Sequence, residues 1–280
     1  MRVLITGGAG LLGSELIRAA PDGVEAHATR HRTPVDGAPS HSVDLGNADA
    51  VMDVCARVRP RVVFHTAYST SDPERNILRA TENVARACRK AGAFLVHLSS
   101  DVVLDGERAP YDESAAPAPV HEYGRWKAAA ERHLHDELPD AAIVRTSLIV
   151  RADPPDASSA GILAKLRRAD PADPAKLFVD ELRCPIAVED LAAQLWEVAA
   201  LPPARRVGIW HLVGPEAVSR YALGVLVALR HGVNPGGIVP ALNRAFAEPR
   251  PRDLRLTTAR ADRELRARAR PISEVLAAPA

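Results

Sequence analysis

Short apolar runs alternate with amphipathic stretches through the first 150 residues. The apolar runs predict strands at 2–6, 24–29, 61–66, 93–99 and 142–149. The amphipathic stretches predict helices at 11–20, 48–57, 75–91 and 122–138. Strands that alternate with helices are typical of βαβ units around a parallel sheet. Most of the strands are continuous Val, Ile and Leu runs, as expected when helices cover both faces of the sheet.

The pattern changes after Val150, where Asp and Pro residues interrupt the periodicity. These helix-breaking residues, at 153–156 and 170–174, flank a short helical stretch, 161–168. They predict a surface excursion near a cleft. Regular structure then resumes, with helices predicted at 187–200 and 219–232 and a strand at 208–213.

Composition and charge narrow the class of protein. Of the 280 residues 47% are hydrophobic and 25% charged, and the net charge is +1. Such a chain has no general attraction to nucleic acid or to anionic membranes. It buries about three quarters of its unfolded surface, so it needs neither a metal nor a disulfide to fold. The strong excess of arginine over lysine favours a bacterial source of high GC content.

The cysteines and the ends of the chain point to a cytoplasmic protein. Cys55, Cys88 and Cys184 are odd in number and widely spaced, which predicts reduced thiols and no metal site. No apolar run approaches the roughly 20 residues of a membrane span. A strand begins at residue 2, so we expect no signal peptide.

A glycine-rich segment follows the first strand and predicts a dinucleotide site. Gly7, Gly10 and Gly13 follow that strand and open the next helix, which also contains Leu11 and Leu12. Glycine permits the tight turn and lets the backbone approach a pyrophosphate, which then faces the free N–H groups of the helix. The alternative is an ordinary glycine-rich turn, which the order of strand, motif and helix disfavours.

The end of the second strand indicates which dinucleotide is bound. NAD-selective sites usually place a carboxylate there, whereas this chain has Arg30 and Arg32. Two guanidinium groups can hold a 2′-phosphate, so we predict a preference for NADP(H). NAD(H) remains open as the alternative, with both arginines as solvated loop charges.

Tyr123 and Lys127 are the candidate catalytic pair. They are four residues apart on a predicted helix and so face the same way. A neighbouring cation is expected to lower the phenol pKa from its usual value of about 10 and to suit Tyr123 for proton transfer. Ser100, which ends an apolar strand, can bind a substrate carbonyl at the same edge of the sheet. The alternative is an ordinary surface pair on a helix.

This constellation resembles the extended short-chain dehydrogenase/reductases, and most of all their dTDP-4-dehydrorhamnose reductase-like, sugar-nucleotide-binding branch. The matching segments are GGAGLLG at 7–13, VDL at 43–45, HTAY at 65–68, SSDVVLDG at 99–106, YGRWK at 123–127, RTSLIV at 145–150, FVDELRCPIAVEDLA at 178–192 and EPRPRDLRL at 248–256.

The resemblance implies a role for each matching position. Tyr123 would be the proton donor, Ser100 would polarise the keto group, and Lys127 would hold the nicotinamide ribose. The other residues implied at the cofactor are Asp44, Leu45, Thr66, Ala67, Tyr68 and Ser99. Those implied at the substrate, besides Ser100 and Tyr123, are Asp101, Val102, Leu148 and Arg183.

Two departures from the branch concern the sugar. Leu148 stands where an aromatic residue is common, and Val150-Arg151 follows where Tyr and a small residue are usual. Related dehydratases carry an Asp-Glu pair, whereas Asp101 is followed here by Val102, which disfavours water elimination.

The resemblance implies an α/β fold: a doubly wound, parallel Rossmann sheet of order 3-2-1-4-5-6, with room for a seventh strand, and a smaller C-terminal substrate-binding lobe. The dinucleotide-binding domain would span 1–150 and take in 187–213, and the lobe would lie within 151–280. The implied activity is NADPH-dependent reduction of a nucleotide-linked 4-keto-6-deoxy sugar, with dTDP as the expected nucleotide. An NAD-dependent sugar-nucleotide epimerase and a non-catalytic, nucleotide-binding regulatory subunit are the alternatives. A homodimer is left open.

Overall fold

The computed structural model describes residues 1–245 and 249–277 and is built around one central sheet. Its strands are β1 (Arg2–Thr6), β2 (Glu25–Arg30), β3 (Ser40–Ser42), β4 (Val62–His65), β5 (Phe94–Leu98), β6 (Ala142–Arg145) and, after further short strands, β11 (Gly208–His211). All of them are parallel, in the order β11-β6-β5-β4-β1-β2-β3. The predicted doubly wound Rossmann order is therefore confirmed, with a seventh strand beside β6.

Three pairs of short strands lie outside the central sheet. They are formed by β7 (Ile149–Val150) with β10 (Ile186–Ala187), β8 (Ala175–Phe178) with β13 (Ile238–Ala241), and β9 (Leu182–Arg183) with β12 (Val218–Ser219). The helices are α1 (Leu11–Arg18), α2 (Ala48–Val58), α3 (Ala80–Ala91), α4 (Glu122–Glu137), α5 (Ala157–Arg168), α6 (Val188–Ala200), α7 (Pro203–Arg206), α8 (Arg220–Arg230), α9 (Ala259–Glu264) and α10 (Ile272–Val275). A π-helical turn, Glu74–Arg79, runs directly into α3.

Helices cover both faces of the sheet. Leu16 of α1 and Trp196 of α6 are buried against one face, where the Trp196 indole meets the Phe64 ring edge-on at 4.8 Å. Val54 of α2 and Leu134 of α4 are buried against the other face. The central strands are apolar on both faces for this reason.

Several predicted boundaries differ from the structure. The strand predicted at 142–149 ends at Arg145, and Ile149–Val150 forms a separate short strand. Between them the hydroxyl of Thr146 donates to the Leu212 carbonyl at 2.8 Å. Helix α5 begins at Ala157 rather than 161, since the Asp156 carboxylate caps its first turn. Strand β3 has the polar sequence Ser-His-Ser and was not predicted.

The excursion after Val150 packs into a separate apolar cluster. Leu163 of α5 and Val227 of α8 are buried there with Ile272 of α10. Glu248, the first residue of one segment that carries the family resemblance, lies outside the described residues, as do residues 278–280. Within the described ranges, every helix is too short or too polar to cross a membrane.

Candidate active site

A cleft of about 940 Å³ opens at the carboxyl edge of the central sheet. Every predicted site residue lines it: Gly7, Gly10, Leu11, Leu12, Gly13, Arg30, Arg32, Asp44, Leu45, Thr66, Ala67, Tyr68, Ser99, Ser100, Asp101, Val102, Tyr123, Lys127, Leu148 and Arg183. Parallel strands bring their carboxyl ends to one edge, so residues from distant segments meet there. The predicted residues therefore form one site in space.

The glycine segment makes a tight turn at one end of this cleft. Gly7 has φ +70°, a left-handed value that favours glycine, and its carbonyl accepts from the Gly10 N–H at 2.9 Å. A Cβ on Gly13 would lie 2.2 Å from the Gly7 carbonyl oxygen, so helix α1 must pack against the turn without a side chain there. Among the described residues, no side chain caps the start of α1, which leaves its first N–H groups available to an anion.

Arg30 and Arg32 lie at the end of β2, where the sequence places them. Within the described ranges neither guanidinium has a hydrogen bond or an ion-pair partner, and Arg32 is exposed. Asp44, on the next segment, is paired with Arg75 instead and accepts from the Gly46 N–H at 2.9 Å. The two arginines are thus available to an anionic ligand.

The ends of β1 and β4 are joined by side-chain hydrogen bonds. The Thr6 hydroxyl oxygen accepts from the backbone N–H groups of Thr66 and Ala67, both at 3.2 Å. The Thr66 hydroxyl donates back to the Thr6 carbonyl at 2.6 Å. Tyr68 then projects into the cleft with 59% of its surface exposed. These bonds fix the backbone that borders the cleft.

Ser100 and Asp101 follow β5 and are linked to β6. The Ser100 hydroxyl donates to one oxygen of the Asp101 carboxylate at 3.2 Å, and the Ser147 hydroxyl donates to the other at 2.7 Å. Burial raises the pKa of Asp101, an effect that nearby Arg183 opposes. The Ser100 hydroxyl is consequently held at the floor of the cleft.

Tyr123 and Lys127 lie one turn apart at the start of α4. The Tyr123 ring lies 5.7 Å from the Tyr68 ring, and the Lys127 ammonium lies 5.4 Å from the Tyr68 centroid. Lys127 is buried, and its Nζ donates to the Leu98 carbonyl at 2.7 Å. Burial lowers the pKa of Lys127 to about 8.

The lowered phenol pKa expected for Tyr123 is wrong for this arrangement. Burial raises the pKa of Tyr123, and the neighbouring Tyr68 and Asp101 raise it further. The Lys127 ammonium is engaged by a backbone carbonyl and contributes no opposing shift. At neutral pH the phenol therefore keeps its proton.

A buried ion pair behind this helix was missed in the sequence. Glu131, one turn beyond Lys127, accepts from the Arg145 Nη2 at 2.8 Å and from the Ser99 hydroxyl. Arg145 also donates through Nη1 to the Ala115 carbonyl at 2.8 Å. The pair joins α4 to the ends of β5 and β6. In the sequence Arg145 opens one of the matching segments and Glu131 lies outside all of them, so nothing there pairs the two charges.

The opposite wall of the cleft carries arginines from distant segments. Arg183 lies there as predicted, but its Nη1 donates to the Leu182 carbonyl at 2.8 Å and its Nη2 to the Pro251 carbonyl at 3.0 Å. Arg220 and Arg250 also line this wall and were not predicted. Arg250 is paired with buried Glu181, whereas the Arg220 side chain has neither a hydrogen bond nor an ion pair within the described ranges. Arg250 lies inside a segment that carries the family resemblance, while no sequence signal marks Arg220.

Comparisons with known proteins agree with this geometry. The chain is 31% identical to a dTDP-4-dehydrorhamnose reductase of Shigella flexneri, over 92% of this chain and 90% of that one. It is 30% identical to a dTDP-4-keto-6-deoxy-D-glucose reductase of Streptomyces niveus, over 90% and 86% of the two chains. The crystal structure of a hypothetical dTDP-4-dehydrorhamnose reductase from Sulfolobus tokodaii superimposes with a TM-score of 0.83 at 26% identity, covering 96% of this chain and 97% of that one.

The family model described as the RmlD substrate binding domain matches residues 1–278, which is nearly the whole chain. This match confirms the resemblance drawn from the sequence motifs. The chain belongs to the RmlD substrate-binding-domain family.

Proposed function

We propose that this protein is an NADPH-dependent reductase of a nucleotide-linked 4-keto-6-deoxy sugar. The observation that carries the proposal is the meeting, in one cleft, of the glycine turn with Ser100, Tyr123 and Lys127. Relatives named dTDP-4-dehydrorhamnose reductase and dTDP-4-keto-6-deoxy-D-glucose reductase match most of the chain, which supports the substrate class and dTDP as its nucleotide.

The cleft fits a dinucleotide phosphate at its glycine end. The Gly7–Gly13 turn would let a pyrophosphate approach the uncapped start of α1. Arg30 and Arg32, unpaired within the described ranges, would hold a 2′-phosphate. Asp44, Leu45, Thr66, Ala67, Tyr68 and Ser99 would border the remainder of the cofactor. NADPH, when bound, supplies the hydride for reduction of the keto group.

In this proposal the proton comes from Tyr123. Its raised pKa keeps the phenol protonated at neutral pH, so that it can donate to the oxygen as the carbonyl becomes an alcohol. The Ser100 hydroxyl, which donates to Asp101 in the structure without substrate, would turn its one proton to the same oxygen. Lys127, fixed by the Leu98 carbonyl, would hold the nicotinamide ribose beside Tyr68.

The nucleotide end of the substrate would lie against the arginine wall. Arg220 and Arg250 line the cleft there, and an anionic diphosphate is the ligand group that guanidinium groups bind best. Arg183 would shape this wall through its backbone hydrogen bonds, and Leu148 and Val102 would border the sugar. We propose that residues 151–280, apart from 187–213, form the substrate-binding lobe, and that the rest of the chain is the dinucleotide-binding domain.

The test is the loss of absorbance at the NADPH band when dTDP-4-keto-6-deoxyglucose or dTDP-4-dehydrorhamnose is added to the purified protein. We expect Tyr123→Phe to lower kcat by about 10²- to 10⁴-fold, the usual contribution of a positioned proton donor, with NADPH affinity unchanged. Tyr221→Phe is the matched control, since Tyr221 lies on α8 and does not line the cleft.

Each contrary result has a distinct meaning. Full activity in Tyr123→Phe would contradict the proton-donor assignment. Tight NADPH binding without oxidation of either keto sugar would contradict the substrate class. An epimerised sugar formed with bound NAD and no net oxidation would establish the epimerase alternative.

A further inference from the structure

His121 lies two residues before Tyr123 and was given no role in the sequence analysis. It is the N-cap residue of α4, is half-buried and lines the cleft. Its ring stacks on the Tyr123 ring, with centroids 6.3 Å apart and an interplanar angle of 27°. The imidazole is therefore a neighbour of the proposed proton donor.

The helix cap fixes the tautomer of this imidazole. Nδ1 accepts a hydrogen bond from the Gly124 N–H at 3.0 Å, and a ring nitrogen can accept only when it carries no proton. Burial lowers the pKa of His121, and Arg250 and Arg125 lower it further, against a backbone hydrogen bond that raises it, so the neutral form is favoured. A neutral ring with Nδ1 unprotonated carries its single N–H on Nε2.

The Nε2–H group of His121 has no acceptor on any other residue within the described ranges of the chain, although His121 lines the cleft. The charged groups that act on the ring are Arg250, Arg125 and Arg183, and the carboxylate of Glu181 lies beside Arg250 and Arg183. Arg220 lines the same wall without a partner of its own in the described structure. A donor that lines the same cleft as this guanidinium of Arg220 is best matched by an anionic oxygen acceptor.

We propose that His121 is a substrate-binding residue whose Nε2–H donates to a diphosphate oxygen of the sugar nucleotide. The inference rests on the proposed function for its substrate class. It divides the two ring nitrogens between two tasks: Nδ1 caps the helix that carries Tyr123, and Nε2 binds the ligand. His121 would thereby fix the nucleotide relative to the reacting end of the cleft.

Two substitutions separate these tasks. In His121→Asn the amide oxygen can take the place of Nδ1 and keep the cap, but nothing replaces Nε2. In His121→Gln the longer amide can place an N–H near the Nε2 position, but it loses the cap geometry. We would measure the Kd of dTDP by isothermal titration calorimetry and the melting temperature of both variants.

We expect His121→Asn to weaken dTDP binding by about tenfold or more, since a hydrogen bond to a charged group is lost, with its melting temperature unchanged. In turnover, KM for the sugar nucleotide should rise while kcat changes little. His121→Gln should keep dTDP affinity within about threefold of the original and melt at a lower temperature, because the cap is lost.

Wild-type dTDP affinity in His121→Asn, or equal weakening in both variants, would overturn the inference. Failure of wild-type protein to bind dTDP would overturn it as well. Because dTDP binding requires no turnover, the two proposals fail separately. Weakened binding in His121→Asn, together with no NADPH oxidation by the wild type, would count against the reductase alone.

Discussion

Arg145→Met should destabilise the protein far more than the loss of an ordinary ion pair. Arg145 and Glu131 are 2% and 4% exposed, and the guanidinium donates to both carboxylate oxygens, with Nη2–Oε2 at 2.8 Å and Nε–Oε1 at 3.1 Å. The substitution leaves the Glu131 carboxylate buried with the Ser99 hydroxyl but without its cation. It also leaves the Ala115 carbonyl without its donor.

The magnitude follows from the cost of an uncompensated buried charge. Removing one partner of a buried pair typically costs about 3–5 kcal/mol. For a domain of this size each kcal/mol lowers the melting temperature by about 2–4 °C, so we expect a fall of roughly 6–20 °C. Glu131 lies one turn from Lys127, so catalytic activity should fall as well.

The assay is guanidinium denaturation followed by circular dichroism, with an exposed pair as the matched control. Arg89 lies 3.1 Å from Glu137, and both side chains are more than half exposed. Arg89→Met should therefore cost at most about 1 kcal/mol. The double variant Arg145→Met/Glu131→Gln should recover much of the lost stability, because no unpaired charge remains buried.

Two results would refute this reasoning. One is an Arg145→Met variant no less stable than Arg89→Met. The other is a double variant that is as unstable as the single one, which would show that packing around Arg145, rather than the buried charge of Glu131, dominates the cost.

Three further predictions concern the cofactor site; each is checked by fluorescence titration with NADPH or NADH, and the third also by thermal melting. Replacement of Arg30 and Arg32 by Ala should weaken NADPH by about tenfold or more and leave NADH unchanged, because only the 2′-phosphate contact is lost; equal losses for both cofactors would contradict this role. NADPH affinity should fall as pH rises through about 8, where the Lys127 ammonium loses its charge. Lys127→Met should abolish that pH dependence. A pH dependence that persists in the variant would assign the titration to another group. Gly13→Ala should lower both protein stability and NADPH affinity, since the new methyl group would lie 2.2 Å from a carbonyl oxygen of the turn. Gly161→Ala, with open space around it, should leave stability unchanged or raise it. Similar behaviour of the two variants would show that the turn tolerates a side chain.

The periodicity of the sequence was sufficient for the central sheet and most of its helices. Apolar runs such as Val62–His65 and Phe94–Leu98 are buried on both faces, so their pattern carries the signal directly. Ser40–Ser42 escaped prediction because an edge strand of polar residues has no such pattern. The short helices Ala259–Glu264 and Ile272–Val275 lie in an Arg- and Pro-rich region where the periodicity is too brief to read.

Site residues that belong to local motifs could also be predicted from the sequence, because a motif, like strand periodicity, is a local pattern. Gly7 and Tyr123 belong to short segments whose residue types have a chemical purpose at fixed spacing. Arg220 has no such local signature, since it gains its place in the cleft from the way distant elements pack. His121 lies beside the Tyr123 segment but is not part of it.

The sequence by itself determined that the chain forms a parallel sheet with a dinucleotide-binding turn. It also determined that the Ser100 hydroxyl, the Tyr123 phenol and the Lys127 amine lie near one edge of that sheet. Strand periodicity and motif spacing contain this information because both are local properties. Only the tertiary structure decided the electrostatics. It buries Tyr123 so that its pKa rises, draws the Lys127 ammonium to a backbone carbonyl, and pairs Glu131 with Arg145. The pKa of a group and its partners depend on burial and on neighbours brought from elsewhere in the chain, and the spacing of two residues along one helix does not contain that information.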